Sequence, residues 1–317
     1  MKNKSKILVI IGPTAVGKSD LAVELAKKFD GEVVSADSRQ VYQGMDIGSG
    51  KVPRDPRQPT TNNEQRTTFS HQGIPHHLLD VANPKKTYTV AEYQNDATHA
   101  VKDILTRGKL PIICGGTGFY IQALVDGVVL PDVPPNAKLR KTLEKKSTSE
   151  LYKILQKLDS KRAENIDQAN PRRLIRAIEI AKAIGNVPPI SKDNSLFNPL
   201  FIGLTLSKEE LQRNIEKRYD KRMKQGMVQE VKKLHASKVS WKRLESFGLE
   251  YRIIAQFLQN KISKDEMHQR TITESLQYAK RQMQWWKKDQ RIKWVQPTKV
   301  TPMFKLAKAF LKEENRV

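Results

Sequence analysis

Eight residues near the start of the chain have the types and spacing of a phosphate-binding loop: Gly12, Pro13, Thr14, Ala15, Val16, Gly17, Lys18 and Ser19. They match the pattern G-x-x-x-x-G-K-[ST] in full. The glycines let the backbone wrap around a phosphate, and successive N–H groups and a helix start point toward it. Lys18 adds a positive charge, and the hydroxyl of Ser19 can ligate Mg²⁺. The loop predicts a bound diphosphate without identifying it.

Asp37 comes directly after a short apolar strand at residues 32–36. The carboxyl ends of parallel strands open onto one crevice, so this carboxylate is expected beside the phosphate loop. From its position alone it is a general base, a substrate anchor or an ordinary aspartate that begins a loop.

Another apolar strand, residues 110–114, is followed by Gly115, Gly116, Thr117 and Gly118. Paired glycines indicate that the backbone approaches a ligand closely. Many nucleotide hydrolases have a magnesium-binding aspartate at this point, and none is evident here. The sequence therefore argues against a nucleotide-driven motor or switch. It favours a reaction at the organic end of the diphosphate.

The second half of the chain contains two arginine-rich segments. Asn170 and Pro171 are typical of a helix start, and the first turns of this helix carry Arg172, Arg173 and Arg176. Guanidinium groups at such a place suit phosphate or base contacts, and a solvated charged face is the alternative. On a later helix, Arg218 or Arg222 could hold a leaving diphosphate through a two-pronged fork.

Basic and aromatic residues alternate over residues 277–286, which include Tyr278 and Trp285. Such side chains stack on unpaired bases in proteins that read single-stranded RNA, and they can equally belong to a core. His76 and His77 lack a matching ligand pair, so we expect no zinc site. The single cysteine, Cys114, lies in an apolar strand. We expect a buried thiol, no internal disulfide and a reducing cytoplasm.

The elements that must position these residues alternate between strand and helix up to about residue 126, as in a parallel sheet covered on both faces. A polar stretch at residues 52–72 is predicted to be a mobile loop. Breaks at residues 129–135 and 186–199 enclose a helical segment, and an apolar strand follows at 200–204. We predict an α/β core resembling P-loop NTPases, formed by residues 1–127 and 200–317. Residues 128–199 are predicted to be an all-helical insertion, and the C-terminal region to be helical.

The charge of the chain is concentrated in its second part. The sequence contains 57 Lys and Arg against 34 Asp and Glu, a net charge of +23, and residues 1–126 hold only 16 and 13 of these. The excess beyond residue 126 predicts a polyanionic partner larger than a metabolite. No apolar run reaches transmembrane length, and the first strand begins almost at the N-terminus. We therefore expect neither a membrane span nor a signal peptide.

Seven motifs, in order along nearly the whole chain, resemble those of the bacterial tRNA dimethylallyltransferases (isopentenyl-tRNA transferases). The matching motifs are Gly12-Pro13-Thr14-Ala15-x-Gly17-Lys18-Ser19, Asp37-Ser38-x-Gln40-x-Tyr42, Gly44-Met45-Asp46-Ile47-Gly48, Pro75-His76-His77-Leu78-x-Asp80, Gly115-Gly116-Thr117-Gly118-x-Tyr120, Arg173-x-x-Arg176-Ala177-x-Glu179 and Ala279-Lys280-Arg281-Gln282.

The resemblance implies transfer of a dimethylallyl group from dimethylallyl diphosphate to the exocyclic amine of the adenosine just 3′ of the anticodon. The products would be N6-(dimethylallyl)adenosine and diphosphate. It implies Mg²⁺ as cofactor, held by Ser19, and the anticodon stem-loop of tRNA as partner. We expect a cytoplasmic monomer.

The resemblance also assigns roles to residues of this chain. The loop from Gly12 to Ser19 would hold the prenyl diphosphate, Asp37 would be the general base, Arg218 would steady the diphosphate and Thr117 would line the channel near the acceptor. The implied tRNA contacts are Asp37, Ser38, Arg39, Gln40, Thr117, Arg172, Arg173, Leu174, Ile175, Arg176, Lys280 and Arg281. Arg39 occupies a position that varies among relatives, and Arg172 stands where relatives often have Gln beside the pair Arg173 and Arg176.

Two other classes of protein share part of this pattern. A P-loop kinase of a small metabolite combines such a loop with an acidic residue after the second strand, but such kinases are usually shorter and do not need so basic a second half. A non-enzymatic RNA-binding NTPase switch is the other alternative. The absence of an evident magnesium-binding aspartate after residues 110–114 argues against it.

Overall fold

The computed structural model describes residues 4–56, 69–189, 191, 196–298 and 300–313. The chain divides into two compact units. One comprises Met1–Gly127 with Asn194–Val317 and is called the core unit here. The other, Val128–Asp193, is called the insertion.

The described strands all lie in the core unit. They are β1 (Ser5–Ile11), β2 (Gly31–Ser35), β3 (Phe69–His71), β4 (Ile74–His77), β5 (Leu110–Cys114), β6 (Phe197–Leu204) and β7 (Ile292–Val295). They form one sheet in the order β3-β4-β2-β5-β1-β6-β7. Neighbouring strands are parallel except for the β3–β4 pair. The predicted parallel α/β sheet is confirmed.

The described helices are α1 (Lys18–Phe29), α2 (Val90–Thr106), α3 (Gly118–Val125), α4 (Ala137–Leu143), α5 (Thr148–Leu158), α6 (Ser160–Glu164), α7 (Pro171–Ile184), α8 (Lys208–Lys224), α9 (Met227–Ala236), α10 (Trp241–Ser246), α11 (Leu249–Leu258), α12 (Lys264–Trp286) and α13 (Val300–Lys312). Helices α4 to α7 belong to the insertion and the others to the core unit.

The central strand β1 is apolar along most of its length because both faces of the sheet are covered. Ile7, Val9 and Ile11 pack into one hydrophobic cluster, whereas Leu8 and Ile10 pack into a second. Helices α2 and α3 contribute to the first cluster, and α1 and α13 to the second. This double burial holds the loop after β1 between two rigid layers.

The insertion has a hydrophobic core of its own, to which α4, α5, α6 and α7 all contribute. Helix α7 begins as predicted: the side chain of Asn170 accepts the N–H of Arg173 at 3.2 Å, and Pro171 is its first residue. Glu179, buried on this helix, accepts hydrogen bonds from the guanidinium groups of Arg140 and Arg176. Burial disfavours the charged form of Glu179, but these arginines and the N–H of Asn136 outweigh burial and lower its pKa.

Three features differ from the sequence prediction. Strands β3, β4 and β7 were not predicted, and β3 lies within the stretch 52–72 that was expected to be a mobile loop. Residues 69–71 are a strand because they pair with β4, and the ring of Phe69 is buried. Residues 57–68 of that stretch lie outside the described residues. Strand β6 starts at Phe197, inside the segment assigned to the insertion, because Phe197 pairs with Ser5 of β1.

Candidate active site

Three loops meet where the neighbouring strands β1, β5 and β2 end. β1 leads into the phosphate loop, β2 is followed by Asp37, and β5 by Gly115. A Cβ atom on Gly115 would collide with the carbonyl oxygen of Ala36, so glycine is needed for this close approach. The N–H of Thr117 donates to the same oxygen at 3.0 Å. The loops after β2 and β5 are therefore held against each other.

The phosphate loop has a conformation that most residues would resist. Gly12 has a φ of 144°, and a Cβ atom there would lie 2.6 Å from the carbonyl oxygen of Leu204. Ala15 and Gly17 also have positive φ values, 63° and 90°. Helix α1 begins immediately after Gly17. The loop thus ends at a helix N-terminus, where free N–H groups and the helix dipole attract an anion.

A cavity of about 190 Å³ opens between these loops and helices of the core unit. Residues 14–19 of the phosphate loop line it, as do Asp37 and Gln40, which confirms that Asp37 lies in the crevice of this loop. Its charged side chains are Lys18, Asp20, Asp37, Arg39, Arg218, Arg222 and Glu250. Gly12, Pro13, Ser38 and Thr117 are not part of this lining. The cavity thus combines a cationic anion site with a carboxylate.

Lys18 donates to the carbonyl oxygens of Gly12 and Pro13, at 3.1 and 2.7 Å. Burial lowers the pKa of its ammonium group to about 8, although the negative charge of Asp37 partly opposes this. The ammonium form therefore dominates at pH 7 and is lost as the pH rises through 8. A bound phosphate would stabilise the ammonium form.

Two helices from the second half of the core unit reach Thr14 in the phosphate loop. The guanidinium of Arg218 on α8 donates to the Thr14 hydroxyl at 2.6 Å. On α12, Gln282 accepts the N–H of Thr14 at 2.8 Å and donates to the carbonyl oxygen of Gly116 at 2.9 Å. Gln282 therefore ties the phosphate loop to the turn after β5. Sequence reasoning noted Ala279-Lys280-Arg281-Gln282 as a motif but missed this role.

Behind Arg218 lies a buried ion pair. Arg222 donates to Glu250 at 3.1 Å and to the carbonyl oxygen of Gly48 at 3.2 Å, and Arg218 lies 4.0 Å from Glu250. Burial lowers the pKa of Arg218, and Arg222 lowers it further. Burial disfavours the charged form of Glu250, but the positive charges of the neighbouring arginines have the larger effect and lower the pKa of its carboxyl group. Glu250 therefore stays ionised and stabilises the two cations. Arg218 is the one placed at the phosphate loop.

Residues 48–50 form another wall, and the segment 46–50 is held by Glu230 and Tyr251. One carboxylate, that of Glu230, accepts three successive backbone N–H groups, from Asp46, Ile47 and Gly48, at 2.9, 2.6 and 3.0 Å. The hydroxyl of Tyr251 donates to Glu230 and accepts the N–H of Ser49. Because these contacts join residues about 200 positions apart, the sequence motif Gly44-Met45-Asp46-Ile47-Gly48 indicated the segment but not its anchors.

The turn after β2 fixes Asp37. Its Oδ1 accepts the N–H groups of Arg39 and Gln40 at 2.8 and 3.3 Å. The Thr117 hydroxyl accepts the N–H of Ser38 at 3.0 Å. Thr117 therefore contacts the turn beside Asp37, without lining the cavity itself. Arg39 donates to the carbonyl oxygen of Phe247 at 3.0 Å and lies 5.3 Å from the centre of the Tyr278 ring.

The aromatic residues in the last turns of α12 were predicted either to stack on RNA bases or to belong to the core. Trp286 is buried in the core, whereas Trp285 is 43% exposed. Lys280 and Arg281, two of the predicted tRNA contacts, are exposed. The alternative in which Trp285 belongs to the core is therefore wrong.

The predicted tRNA contacts on α7 fall into three groups. Arg172 and Arg173 are exposed. Leu174 and Ile175 are buried in the core of the insertion, and their contact with tRNA stays a prediction. Arg176 is bonded to Glu179 at 2.6 Å and to the carbonyl oxygen of Val133 at 2.9 Å.

Oxygen donors that suit Mg²⁺ stand beside the phosphate loop, since Ser19, Asp20 and Asp37 all line the cavity. In the described part of the chain, no group of three or more His, Cys, Asp and Glu residues could hold a metal ion. A magnesium ion at Ser19 would therefore take its other ligands mainly from substrate and water. Cys114 is buried as predicted, and burial raises its pKa to about 12, so it is a thiol.

No helix among the described residues has the length and apolar character needed to cross a membrane.

Comparison with known proteins extends these observations. Residues 40–289 match the family described as IPP transferase, and residues 5–68 match the one described as isopentenyl transferase. A tRNA dimethylallyltransferase of Anoxybacillus flavithermus is 38% identical over 298 residues, which cover 92% of this chain and 91% of that protein.

Two solved structures share the fold. The full-length tRNA isopentenylpyrophosphate transferase of Bacillus halodurans is 32% identical, with a TM-score of 0.69 over 98% of this chain and 97% of that one. A eukaryotic dimethylallyltransferase acting on tRNA is 25% identical, with a TM-score of 0.74 over 98% of this chain and 82% of that one.

Proposed function

This chain belongs to the IPP transferase family, and we propose that it is a tRNA dimethylallyltransferase. It transfers a dimethylallyl group from dimethylallyl diphosphate to the exocyclic amine of the adenosine 3′ of the anticodon, giving N6-(dimethylallyl)adenosine and diphosphate. The observation that carries this proposal is the position of Asp37. Its carboxylate shares one cavity with the phosphate loop, Lys18 and Arg218. A proton acceptor and a diphosphate site thus lie together.

The donor half of the reaction uses the cationic side of the cavity. When the bond between the dimethylallyl carbon and the diphosphate oxygen breaks, negative charge develops on that oxygen. Lys18, Arg218 and the N–H groups at the start of α1 stabilise this charge. Because Gln282 and Arg218 both hold Thr14, these donors are in place before the substrate arrives. Such preorganisation avoids the cost of orienting dipoles during the reaction.

The acceptor half uses Asp37. The adenosine amine attacks the dimethylallyl carbon, and its nitrogen becomes positively charged as the new bond forms. Asp37 need not deprotonate the amine beforehand, because it accepts the proton as the bond is made. Thr117 acts as a positioning residue through its hydrogen bond to Ser38.

The basic half of the chain binds the RNA. Arg172 and Arg173 on the insertion, and Lys280 and Arg281 on α12, offer exposed cations for phosphate contacts. The reacting base must leave the stack of the anticodon loop, which costs on the order of a few kcal/mol. Phosphate contacts offset this cost and make binding dependent on salt.

The remaining parts of the proposal concern the metal, the assembly and the compartment. Ser19 would help to hold Mg²⁺, which would neutralise charge on the diphosphate. We propose a monomer as the active form. A tRNA substrate and a single buried thiol fit a cytoplasmic enzyme.

The test uses purified protein, Mg²⁺, radiolabelled dimethylallyl diphosphate and unmodified tRNA with adenosines flanking the anticodon. We expect label in the RNA, and none in a tRNA that has guanosine in place of the 3′ adenosine. ATP is supplied in a parallel reaction. Unlabelled RNA combined with phosphoryl transfer from ATP to a small molecule would favour the kinase. ATP hydrolysis without prenyl transfer would favour the NTPase switch.

A further inference from the structure

The exposed indole of Trp285 lies beside the turn that follows β5. A Cβ atom on Gly118 would come within 2.5 Å of this indole, so the ring packs directly on the glycine backbone. Phe119 meets the indole edge to face, with ring centres 6.3 Å apart and planes at 64°. The Trp285 side chain is thus supported on one side while 43% of the residue remains exposed. A supported, exposed indole is suited to stacking.

The position of Trp285 follows from a stripe of residues along α12. Tyr278, Gln282 and Trp285, at helical spacings of four and three, all contact the turn. The Tyr278 hydroxyl and the Gln282 amide both donate to the carbonyl oxygen of Gly116, at 3.4 and 2.9 Å. Trp285 continues the stripe to Gly118, one residue beyond Thr117. It is not among the cavity-lining residues, so it lies outside the chamber that contains Asp37.

The charge around Trp285 indicates what covers it. Residues 280–288 contain Lys280, Arg281, Lys287 and Lys288, all exposed, and no acidic residue, and the next residue, Asp289, is paired with Arg291. An apolar peptide or a membrane interior would gain little from these cations. A nucleobase attached to a phosphate backbone satisfies both features, since the base stacks on the ring and the phosphates meet the cations.

We propose that Trp285, supported by Phe119, is a stacking platform for an unpaired nucleobase adjacent to the reacting adenosine. This inference rests on the proposed function, because it takes the RNA loop as the ligand. Holding a neighbouring base on Trp285 keeps the reacting base from returning to its stack. The platform therefore contributes to RNA binding and to placement of the adenosine, and it makes no contact with the diphosphate.

The test is a double-mutant cycle between the protein and an anticodon stem-loop. Trp285→Ala and Trp285→Phe are measured against stem-loops in which each unpaired position is made abasic in turn. We expect Trp285→Ala to weaken binding about 5- to 100-fold and Trp285→Phe to restore most of the loss. At one position next to the adenosine, removing the base should weaken RNA binding by the wild-type protein. The same change should cause no further loss of binding in Trp285→Ala.

Trp294→Ala is the matched control, because Trp294 is 37% exposed and also packs on a glycine, Gly203. It should bind every stem-loop like wild type. Unchanged binding by Trp285→Ala, or additivity at every position, would overturn the platform. A prenyl-transfer assay of the wild-type protein separates the two proposals. If wild type transfers the prenyl group and Trp285→Ala binds RNA as wild type does, only the stacking platform is refuted. If Trp285→Ala and one abasic change are non-additive but wild type transfers no prenyl group, only the enzymatic function is refuted.

Discussion

The arginines of the cavity and those at the start of α7 illustrate two uses of the same side chain. Arg218 and Arg222 are partly or fully buried and are already bonded to Thr14, Gly48 and Glu250. Arg172 and Arg173 are exposed to solvent. A held guanidinium can stabilise charge at one defined point, whereas an exposed one binds a polyanion without fixed geometry. The first group suits chemistry and the second suits attraction of RNA.

Arg176 shows that closeness in sequence does not decide whether an arginine is held by protein groups or exposed to solvent. It lies one turn from Arg172 and Arg173 but is held by Glu179 and the carbonyl oxygen of Val133. Its role in the insertion is therefore the same as that of Arg222 in the core unit, the pairing of a buried carboxylate. Removing a held charge should change turnover or stability, and removing an exposed one should change salt-dependent binding.

Replacing Asp37 by asparagine gives the largest expected effect, because Asp37 is the proposed proton acceptor in the cavity of the phosphate loop. Asparagine keeps an oxygen for the N–H groups of Arg39 and Gln40, so the turn is preserved. We expect kcat to fall about 10²- to 10⁴-fold, with tRNA affinity unchanged. Single-turnover transfer and filter binding measure the two quantities. Asp30→Asn, at an exposed aspartate, should change neither. Weak binding with normal turnover at saturating tRNA would refute Asp37 as the base.

Arg218→Gln tests whether a held cation acts at the chemical step. Loss of its charge removes stabilisation of the leaving diphosphate, and we expect kcat to fall about 10²- to 10³-fold. The salt dependence of tRNA binding should not change. The control is Lys217→Gln, an exposed neighbour on α8, which should leave kcat near wild type. Similar losses in both variants would mean that general positive charge, and not placement, is what matters.

The pH dependence of diphosphate binding sharpens the comparison further. Lys18 has a pKa of about 8 in the free protein, and a bound diphosphate favours its ammonium form. Affinity should therefore be nearly constant below pH 8. Above pH 8 it should fall up to about tenfold per pH unit, until the pKa of the complex is reached. Calorimetry of inorganic pyrophosphate with Mg²⁺, in buffers of different ionisation enthalpy, should show more proton uptake above pH 8 in wild type than in Lys18→Met, because pyrophosphate ionises in this range as well. Equal proton exchange in the two proteins would contradict the assignment.

Arg173→Ala has the smallest expected effect and probes the exposed group. The affinity for tRNA should fall a few-fold at low salt, and the slope of log K against log salt should decrease by about 1. At saturating tRNA, kcat should match wild type. Lys182→Ala, an exposed cation in the last turn of α7, serves as the control for position. A large fall in kcat in Arg173→Ala would mean that Arg173 acts in catalysis, as Arg218 is proposed to do.

Local patterns allowed the sequence to predict much of this fold. Strands β1, β2, β5 and β6 are apolar runs, and the phosphate loop is a contiguous motif, so each could be recognised without tertiary information. Strands β3 and β4, the outermost pair on one side of the sheet, have only three and four residues, too few for a clear pattern. β7 has exposed residues at its centre. Their pairing partners, and not their composition, make them strands.

The site could be predicted where one segment carries the chemistry and not where distant segments meet. Asp37 and Lys18 follow from their own strands and loops. Gln282 bonds to Thr14 across 268 positions, and Glu230 holds Ile47 across 183. Residues 172–176 are predicted together as tRNA contacts, but the structure buries Leu174 and Ile175 and exposes Arg172 and Arg173. A helical segment presents one face to the core and another to solvent, so neighbouring residues of one motif differ in burial.

The tie between Gln282 and Thr14 affects the order in which this protein can mature on the ribosome. The phosphate loop is synthesised well before α12, which holds it, since Thr14 and Gln282 are 268 positions apart. The insertion is one continuous segment whose core can form while the sheet still lacks β6 and β7. A nascent chain that has not yet exposed α12 thus carries a complete G-x-x-x-x-G-K-S sequence without the side chain that braces it.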